Sequence, residues 1–491
     1  MKKIIFLCFL LALVIRVYSV FPYNTIIGFD QARDLFDSYT MVQTHHPRII
    51  GPTAGNNPNL HHGIAFIYYL AVPIALFGPN PMNAVYMNIF IQSTLVFILA
   101  YFSWELFHKK ETTIVAALMV AFSYSLTQFA GWLSNPTVTL VTVPLFYLSL
   151  WKYRTDKRWL ILAAISLGAS IEFELFFIYL IPVFLVYWAL YRPKFPSLSI
   201  GLISIVAFMA TTATMIATEV KYSFAGVIDI LSAGTKVGGN LPFWDRVHFF
   251  SLRLQDQFSL SLGPIIPTTV AILFCVYIYT QTTDKKTKEG LGFVYLYAAS
   301  PTLMLFLGAH NAPWFLIGLP PAMILIYSFV LSRAKAAGYI ILIIFLSVAF
   351  YKTSLTTRSG QKLLEPDQSA ILSRQLAAID YTYKTANEEP FAIDTVTNPL
   401  YVNAVWAYSY MWYGKSTYGY MPTWLGGDQI APYNTLSAAN GKETNVYLLE
   451  DVTNRIPQVY RDKAHNKILE TATFKRRVTF DEIGVNHYEK K

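Results

Sequence analysis

The feature that most constrains this chain is a succession of long apolar runs cut apart by short loops in which lysine and arginine are bunched. The bunches are HKK at His108 to Lys110, WKYRTDKR at Trp151 to Arg158, YRPK at Tyr191 to Lys194, DKKTK at Asp284 to Lys288, and SRAK at Ser332 to Lys335. With 54% of its 491 residues hydrophobic and 14% charged, the chain holds more apolar sequence than a soluble core can bury, so the runs read as membrane spans. The formal charge of +9 does not point to nucleic acid. From Leu355 to Lys491, 15 Lys and Arg balance 15 Asp and Glu, so the excess lies in the apolar part, where it marks cytoplasmic loops.

Lys2 and Lys3 hold the amino terminus inside, so a first span over Ile4 to Phe21 leads outward. The same stretch has the basic and apolar regions of a signal peptide, with Val17 and Ser19 as a cleavage signal; Arg16 interrupts the run, and an uncleaved span is expected. Gly63 to Phe77 contains Pro73, ends at GPNP and falls short of the roughly 20 residues of a straight crossing, so it reads as interfacial or re-entrant. That reading sets the parity of every later crossing. Spans are expected at Met82 to Phe107, Thr113 to Phe129, Val138 to Trp151, Trp159 to Ile171, Leu175 to Tyr191, Ser197 to Ala217, Phe258 to Thr280, Leu291 to Leu307, Pro313 to Leu331 and Tyr339 to Tyr351. All five basic bunches then face the cytoplasm; counting Gly63 to Phe77 as a crossing would put them all outside.

The expected fold is an α-helical polytopic membrane protein of about eleven transmembrane helices, with interfacial helices in its first outer loop and a small extracytoplasmic α/β domain at the carboxy terminus. Residues 1–352 form the membrane domain, with outer loops at 22–63 and 218–257, and 353–491 the soluble one. The aromatic and β-branched alternation of the final segment, with its Pro and Gly punctuation, suggests the mixed α/β character. The expected location is the plasma (inner) membrane, multi-pass, with the amino terminus cytoplasmic. Cys8 and Cys275 lie inside apolar runs, so they offer neither a disulfide framework nor a thiolate metal site. No internal repeat is visible.

This topology gathers chemistry-bearing residues on the outer face. GFDQARD, Gly28 to Asp34, follows the first span, and on a helix Asp30, Asp34 and Asp37 share one side, a side that reads as too acidic for packing. Arg33 within it allows the plainer reading of a solvated, locally paired helix. Glu172 and Glu174 lie in LGASIEFELFFIYLIP, where ionisable groups are expensive and usually face a polar cavity; two residues apart, they need a broken helix to meet one ligand. Asn135 sits in the SNP turn, and His61 and His62, like His45 and His46, lack the spacing of a zinc site. His310, at a span entrance in AHNAPWF, suits a phosphate or a sugar hydroxyl. Arg16, near the outer end of the first span, either neutralises a lipid phosphate or snorkels to the headgroups. Lys221, Lys236, Arg246, His248 and Arg253 between Thr218 and Gln257 suit a lid over an anion or a plain solvated loop. YGKST at Tyr413 to Thr417 lacks the full phosphate-loop pattern.

With these residues placed, the chain resembles the polytopic GT-C glycosyltransferases, close to family 39 with its protein O-mannosyltransferase and lipid A aminoarabinose transferase relatives. The resemblance spans nearly the whole layout. It is carried by GFDQARD after the first span, HHGIAFIYYL at His61 to Leu70, the Asn135-Pro136 turn, IEFELF at Ile171 to Phe176, and HNAPWFLIGLPP at His310 to Pro321; Gln31 stands where many members carry Glu. It implies a hexosyl- or pentosyltransferase that moves a sugar from a polyprenyl-phosphate donor to a lipid, glycan or protein acceptor outside the membrane, inverting, with Asp30 as general base. Asp34, Arg16, Arg33, His61, His62, Asn135, Glu172, Glu174 and His310 are then substrate- or donor-binding candidates. A divalent ion, if one is required, would fall to Asp30, Glu172 and Glu174. Two other classes compete: a lipid-linked-substrate transporter or flippase, and a non-catalytic membrane assembly protein acting through its carboxy-terminal domain.

Overall fold

A computed structural model describes residues 1–53, 58–233, 242–258, 268–307, 313–360, 368–427, 429, 433–453 and 455–491. Apolar sequence between polar breaks produces helices α1 (Lys2–Ser19), α2 (Phe29–Thr44), α3 (Ala65–Phe77), α4 (Pro81–Ser93), α5 (Leu95–Phe107), α6 (Lys110–Phe122), α7 (Tyr124–Ala130), α8 (Thr139–Tyr153) and α9 (Trp159–Phe173). They continue with α10 (Leu180–Tyr191), α11 (Leu198–Thr211), α12 (Ala213–Lys221), α13 (Ala225–Ala233), α14 (Phe243–Phe258), α15 (Thr268–Gln281), α16 (Lys285–Ala299), α17 (Pro320–Arg333) and α18 (Lys335–Ser359).

Among the described residues, two helices are long and apolar enough to cross a membrane: α4 with α5, 27 residues over Pro81–Phe107, and α18, 25 residues. The pairs α6–α7, bent by 52°, and α11–α12, bent by 64°, raise the number to four if each bent pair is one span. Six of the other expected crossings correspond to helices of 12 to 15 residues, and the first to the 18-residue α1. Several are prolonged by 3-10 turns at Asn135–Val138, Leu175–Tyr179, Ser300–Leu307 and Pro313–Leu316. The breaks have polar causes: at the α6–α7 bend the Ser123 hydroxyl accepts from the amide of Leu126, offering the backbone an alternative to the helix. Helix α3, 13 residues with Pro73 inside, spans only about 20 Å at 1.5 Å per residue and packs along α2.

The basic loops assemble at one end of the bundle. Lys152 pairs with Glu105 at 2.9 Å, Arg154 pairs with Glu289 and lies over the rings of Trp151 and Tyr191, the Tyr153 hydroxyl donates to the Lys194 carbonyl, and Thr112 meets Ser332 at 2.7 Å. The far ends of the same helices reach the opposite pole. Pro79, just before α4, accepts from the Tyr408 hydroxyl of the carboxy-terminal domain, while Glu105 near the end of α5 lies among the basic loops. At 1.5 Å per residue the 27-residue helix between them is about 40 Å long, enough to cross a bilayer core of about 30 Å.

The carboxy-terminal domain is a five-stranded mixed sheet with helices. Its strands are β1 (Phe391–Val396), β2 (Thr423–Trp424), β3 (Asn445–Asp451), β4 (Ala472–Phe480) and β5 (Ile483–Lys490), in the order β2-β1-β3-β5-β4. Strands β2, β1 and β3 are parallel, and β5 and β4 are antiparallel additions. Helices α19 (Leu372–Thr385), α20 (Ala404–Ser409), α21 (Lys415–Tyr418) and α22 (Gln458–Leu469) complete it, and YGKST forms a helical turn rather than a phosphate loop. Helix α18 runs through the expected boundary at residue 352 and ends at Ser359.

Candidate active site

The site is built where the first outer loop meets the carboxy-terminal domain. Residues 23 to 27 are held by a seam of backbone bonds: Ile27 donates to Ala370, Leu372 to Thr25 and Ser373 to Tyr23, while the Gln375 side chain donates to the Ile27 carbonyl at 2.8 Å. Ile26 also bridges to Trp132, and the Thr25 hydroxyl donates to the Gly131 carbonyl. Gly28 then starts α2, and Gln31, three residues into it, accepts from the Gly28 amide at 3.0 Å. Gln31 is therefore a cap, which accounts for an amide at that position.

Along α2 the three carboxylates meet different fates. Asp30 is 65% exposed at its side chain and pairs with Arg33 at 2.7 Å. Asp34 is buried, and Arg33 reaches it at 2.8 Å, so one guanidinium forks between two carboxylates. Asp37 is mostly buried against Arg48 at 2.6 Å. The expectation that this face is too acidic to pack is corrected here: Ala32, Leu35 and Phe36 lie against Phe66, Leu70, Tyr408 and Tyr433, and Asp34 and Asp37 go inward with them because arginines accompany them. Burial raises the Asp34 pKa to about 6 despite Arg33, and raises that of Asp37. Burial opposes the charge on Arg33, but Asp34 and Asp30 outweigh it and raise its pKa.

Helix α9 ends at Phe173, and Glu174 is extended at φ −147°, so the required break is present. Glu172 and Glu174 nevertheless do different work. Glu172 accepts from the Ile64 amide at 3.1 Å at the start of α3 and from the Thr214 hydroxyl of α12, tying three segments together. A Cβ on Gly63 would lie 2.2 Å from the Glu172 carbonyl, which explains the glycine in LHHG. Glu174 accepts from Asn135 at 3.0 Å, and Asn135 also donates to the Phe173 carbonyl. Across from it, His62 Nδ1 lies 3.5 Å from Glu174 Oε1, and both atoms are buried without a hydrogen bond among the described residues. Burial lifts the Glu174 pKa to about 8, while burial, with Arg33 and His61, lowers that of His62 to about 4. Burial thus disfavours the charged form of both members of this pair.

His61 stacks on Tyr222 with ring centroids 5.3 Å apart. Arg16 is buried in the bundle, donating to Ser93 at 2.9 Å and weakly to the Val120 carbonyl, so its partners belong to α4 and α6 and it does not snorkel. His310, Lys236 and the GTKVGGN segment lie outside the described residues, while Arg246, His248 and Arg253 belong to helix α14. Among the described residues no three His, Cys, Asp or Glu side chains converge as metal ligands. Glu172 already serves a backbone amide and Glu174 faces His62, so these carboxylates with Asp30 do not fit a divalent ion.

A cleft of about 260 Å³ opens at Asp30, lined also by Trp132, Trp314, Asn398, Asp451 and Arg455. Sequence reasoning missed these five. Trp132, next to the SNP turn, and Trp314, inside AHNAPWF, both on the outer face, could have been found from the topology; the other three carry no local signal, because the fold of the carboxy-terminal domain brings them there.

The sequence matches no protein-family model and no curated protein. Solved structures do match over the full length. ArnT from Cupriavidus metallidurans bound to undecaprenyl phosphate superposes with a TM-score of 0.57 at 12% identity, covering 98% of this chain and 97% of that one. ArnT from the same organism in the apo state gives 0.51 at 12% identity, covering 99% and 98%. The chain therefore shares the fold of these ArnT structures over nearly its whole length.

Proposed function

We propose that this chain is a membrane glycosyltransferase that moves a sugar from a polyprenyl-phosphate carrier to a hydroxyl acceptor on the extracytoplasmic side. The observation that carries this reading is the position of Asp30: an exposed carboxylate opening on a cleft at the pole opposite the basic loops, within a fold whose solved example binds undecaprenyl phosphate. By the bias of basic loops toward the cytoplasm, that pole is extracytoplasmic. Nucleotide sugars do not occur there, so a lipid-borne donor suits it.

In the reaction, Asp30 takes the proton of the acceptor hydroxyl as its oxygen attacks the anomeric carbon, and the bond from that carbon to the phosphate oxygen breaks. Polyprenyl phosphate leaves with the bonding electrons and needs no acid, so one carboxylate suffices, and a single displacement inverts the centre. Arg33 aims Asp30 and stands nearest to it as a cation for the leaving phosphate, with buried Asp34 as the positioning residue that holds Arg33. No metal step is invoked.

Purified full-length chain, incubated with radiolabelled polyprenyl-phosphate sugars and a membrane extract, tests the reading. Asp30→Asn is expected to lower transfer by about 100-fold or more with the thermal unfolding midpoint unchanged. Transfer retained by that variant refutes the base assignment, and no transfer by the wild type from any carrier refutes the activity.

A further inference from the structure

The sheet order β2-β1-β3 places β1 between two parallel neighbours reached by connections running in opposite directions, which makes the gap between the carboxyl ends of β1 and β3 a topological switch point. In open α/β sheets ligands bind there. Asn398 follows β1 and Asp451 ends β3; the Asn398 amide donates to Asp451 Oδ2 at 3.1 Å, and both residues line the cleft that Asp30 opens on. The opposite lining comes from the membrane part, where Trp132 and Trp314 lie with ring centroids 5.8 Å apart. A switch point and a pair of indoles thus converge from two domains on one cleft.

We infer that this cleft is the acceptor's seat and that the acceptor is a saccharide, an inference that rests on the glycosyltransferase reading. The C–H face of a pyranose ring lies flat on an indole, while its hydroxyls suit the carboxylates of Asp30 and Asp451 and the guanidinium of Arg455. The volume of about 260 Å³ is below the roughly 300 Å³ at which pockets for drug-sized ligands begin, which fits one sugar residue rather than a chain. A serine or threonine side chain would leave the half-buried Trp314 uncovered. Seated here, an acceptor hydroxyl is presented to Asp30, and the carboxy-terminal domain selects the acceptor.

Methyl glycosides of glucose, mannose, galactose and N-acetylglucosamine, titrated into the purified full chain and into its Asp30→Asn variant, test this through intrinsic tryptophan fluorescence. At least one glycoside is expected to give a saturable change in both proteins. Trp314→Ala is expected to remove the response, and Asp451→Asn to raise the half-saturating concentration at least ten-fold; Trp132 is left intact because it is buried in the core. A Ser- and Thr-containing peptide is expected to give no response. No saturable change with any glycoside, unaltered binding in both variants, or a response to the peptide alone overturns the inference. Because Asp30→Asn binds but does not transfer, saccharide binding with retained transfer would fail the base assignment alone, and lost transfer without saccharide binding would fail the acceptor seat alone.

Discussion

The two poles of the bundle treat charge in opposite ways. At the basic pole the most open pair is Arg158 with Asp156, whose side chains are 79% and 39% exposed and whose contact spans two residues of one loop. At the other pole the carboxylates of Asp34, Asp37, Glu172 and Glu174 are withdrawn and Asp30 alone of this group stays open. Asp34 and Glu174 have side chains 6% and 5% exposed, and they face an arginine, an asparagine and a histidine. Exposed pairs are weak and screened, so the basic pole fixes orientation through the bilayer rather than through contacts. Buried carboxylates are expensive unless every oxygen is answered, so the acidic pole must be assembled with precision, and groups left unanswered there are available to a ligand.

The largest effect that can break this contrast is sidedness. With Cys8 and Cys275 replaced by serine, Asp30→Cys is expected to react with an impermeant maleimide on intact cells, and Asp156→Cys only after lysis. Equal labelling of the two abolishes the polarity, and the reverse pattern inverts it.

Next in size is Glu172→Ala, which leaves the Ile64 amide and Thr214 hydroxyl buried without an acceptor. A loss of about 1–3 kcal/mol is expected, read by thermal unfolding in detergent, with Glu172→Gln retaining most of the stability. A smaller effect distinguishes the poles by pH. Unfolded Glu174 releases its proton near 4.5 and the folded protein holds it to about 8, so the unfolded state is favoured progressively as pH rises through that window. Asp34, raised to about 6, acts with the same sign from 3.8 upward. His62, lowered to about 4, acts with the opposite sign up to 6.5, so the unfolding midpoint is expected to fall most clearly from pH 6.5 to 8, and Glu174→Gln to flatten that decline; an identical slope in the variant removes the buried-acid account. Smallest of all, Arg158→Ala at the basic pole is expected to leave the midpoint unchanged within error, since both members of its pair face water.

Much of the acidic pole was legible because lipid makes polar sequence conspicuous. Glu172 and Glu174 stood out from apolar surroundings and Asn135, His61 and His62 from their outer-face loops, and the structure brings four of the five into direct contact with one another or with the start of α3. Their division of labour was not legible. A carboxylate that caps a neighbouring helix and one that faces an imidazole look alike in sequence, since the difference lies in which segment arrives opposite. Arg16 shows the same limit: its place near the end of a span suggested a lipid phosphate or the headgroups, but Ser93 and the Val120 carbonyl give it an interior berth. The four 3-10 turns that loosen helix ends were also invisible as such, although Pro136, Pro301 and Pro313 mark three of them.

Sequence alone determined that the chain is helical and membrane-bound, that its basic loops share one side, and that an acidic loop follows the first helix, because hydropathy and charge act locally and each run of residues carries its own preference for lipid or water. Only the tertiary structure decided that Asp30 stays open while Asp34, four residues on, is buried, and that a strand end 421 residues away in the chain completes the cleft. Burial and proximity belong to the packed assembly, where the carboxy-terminal domain covers one turn of α2 and leaves the preceding one facing solvent.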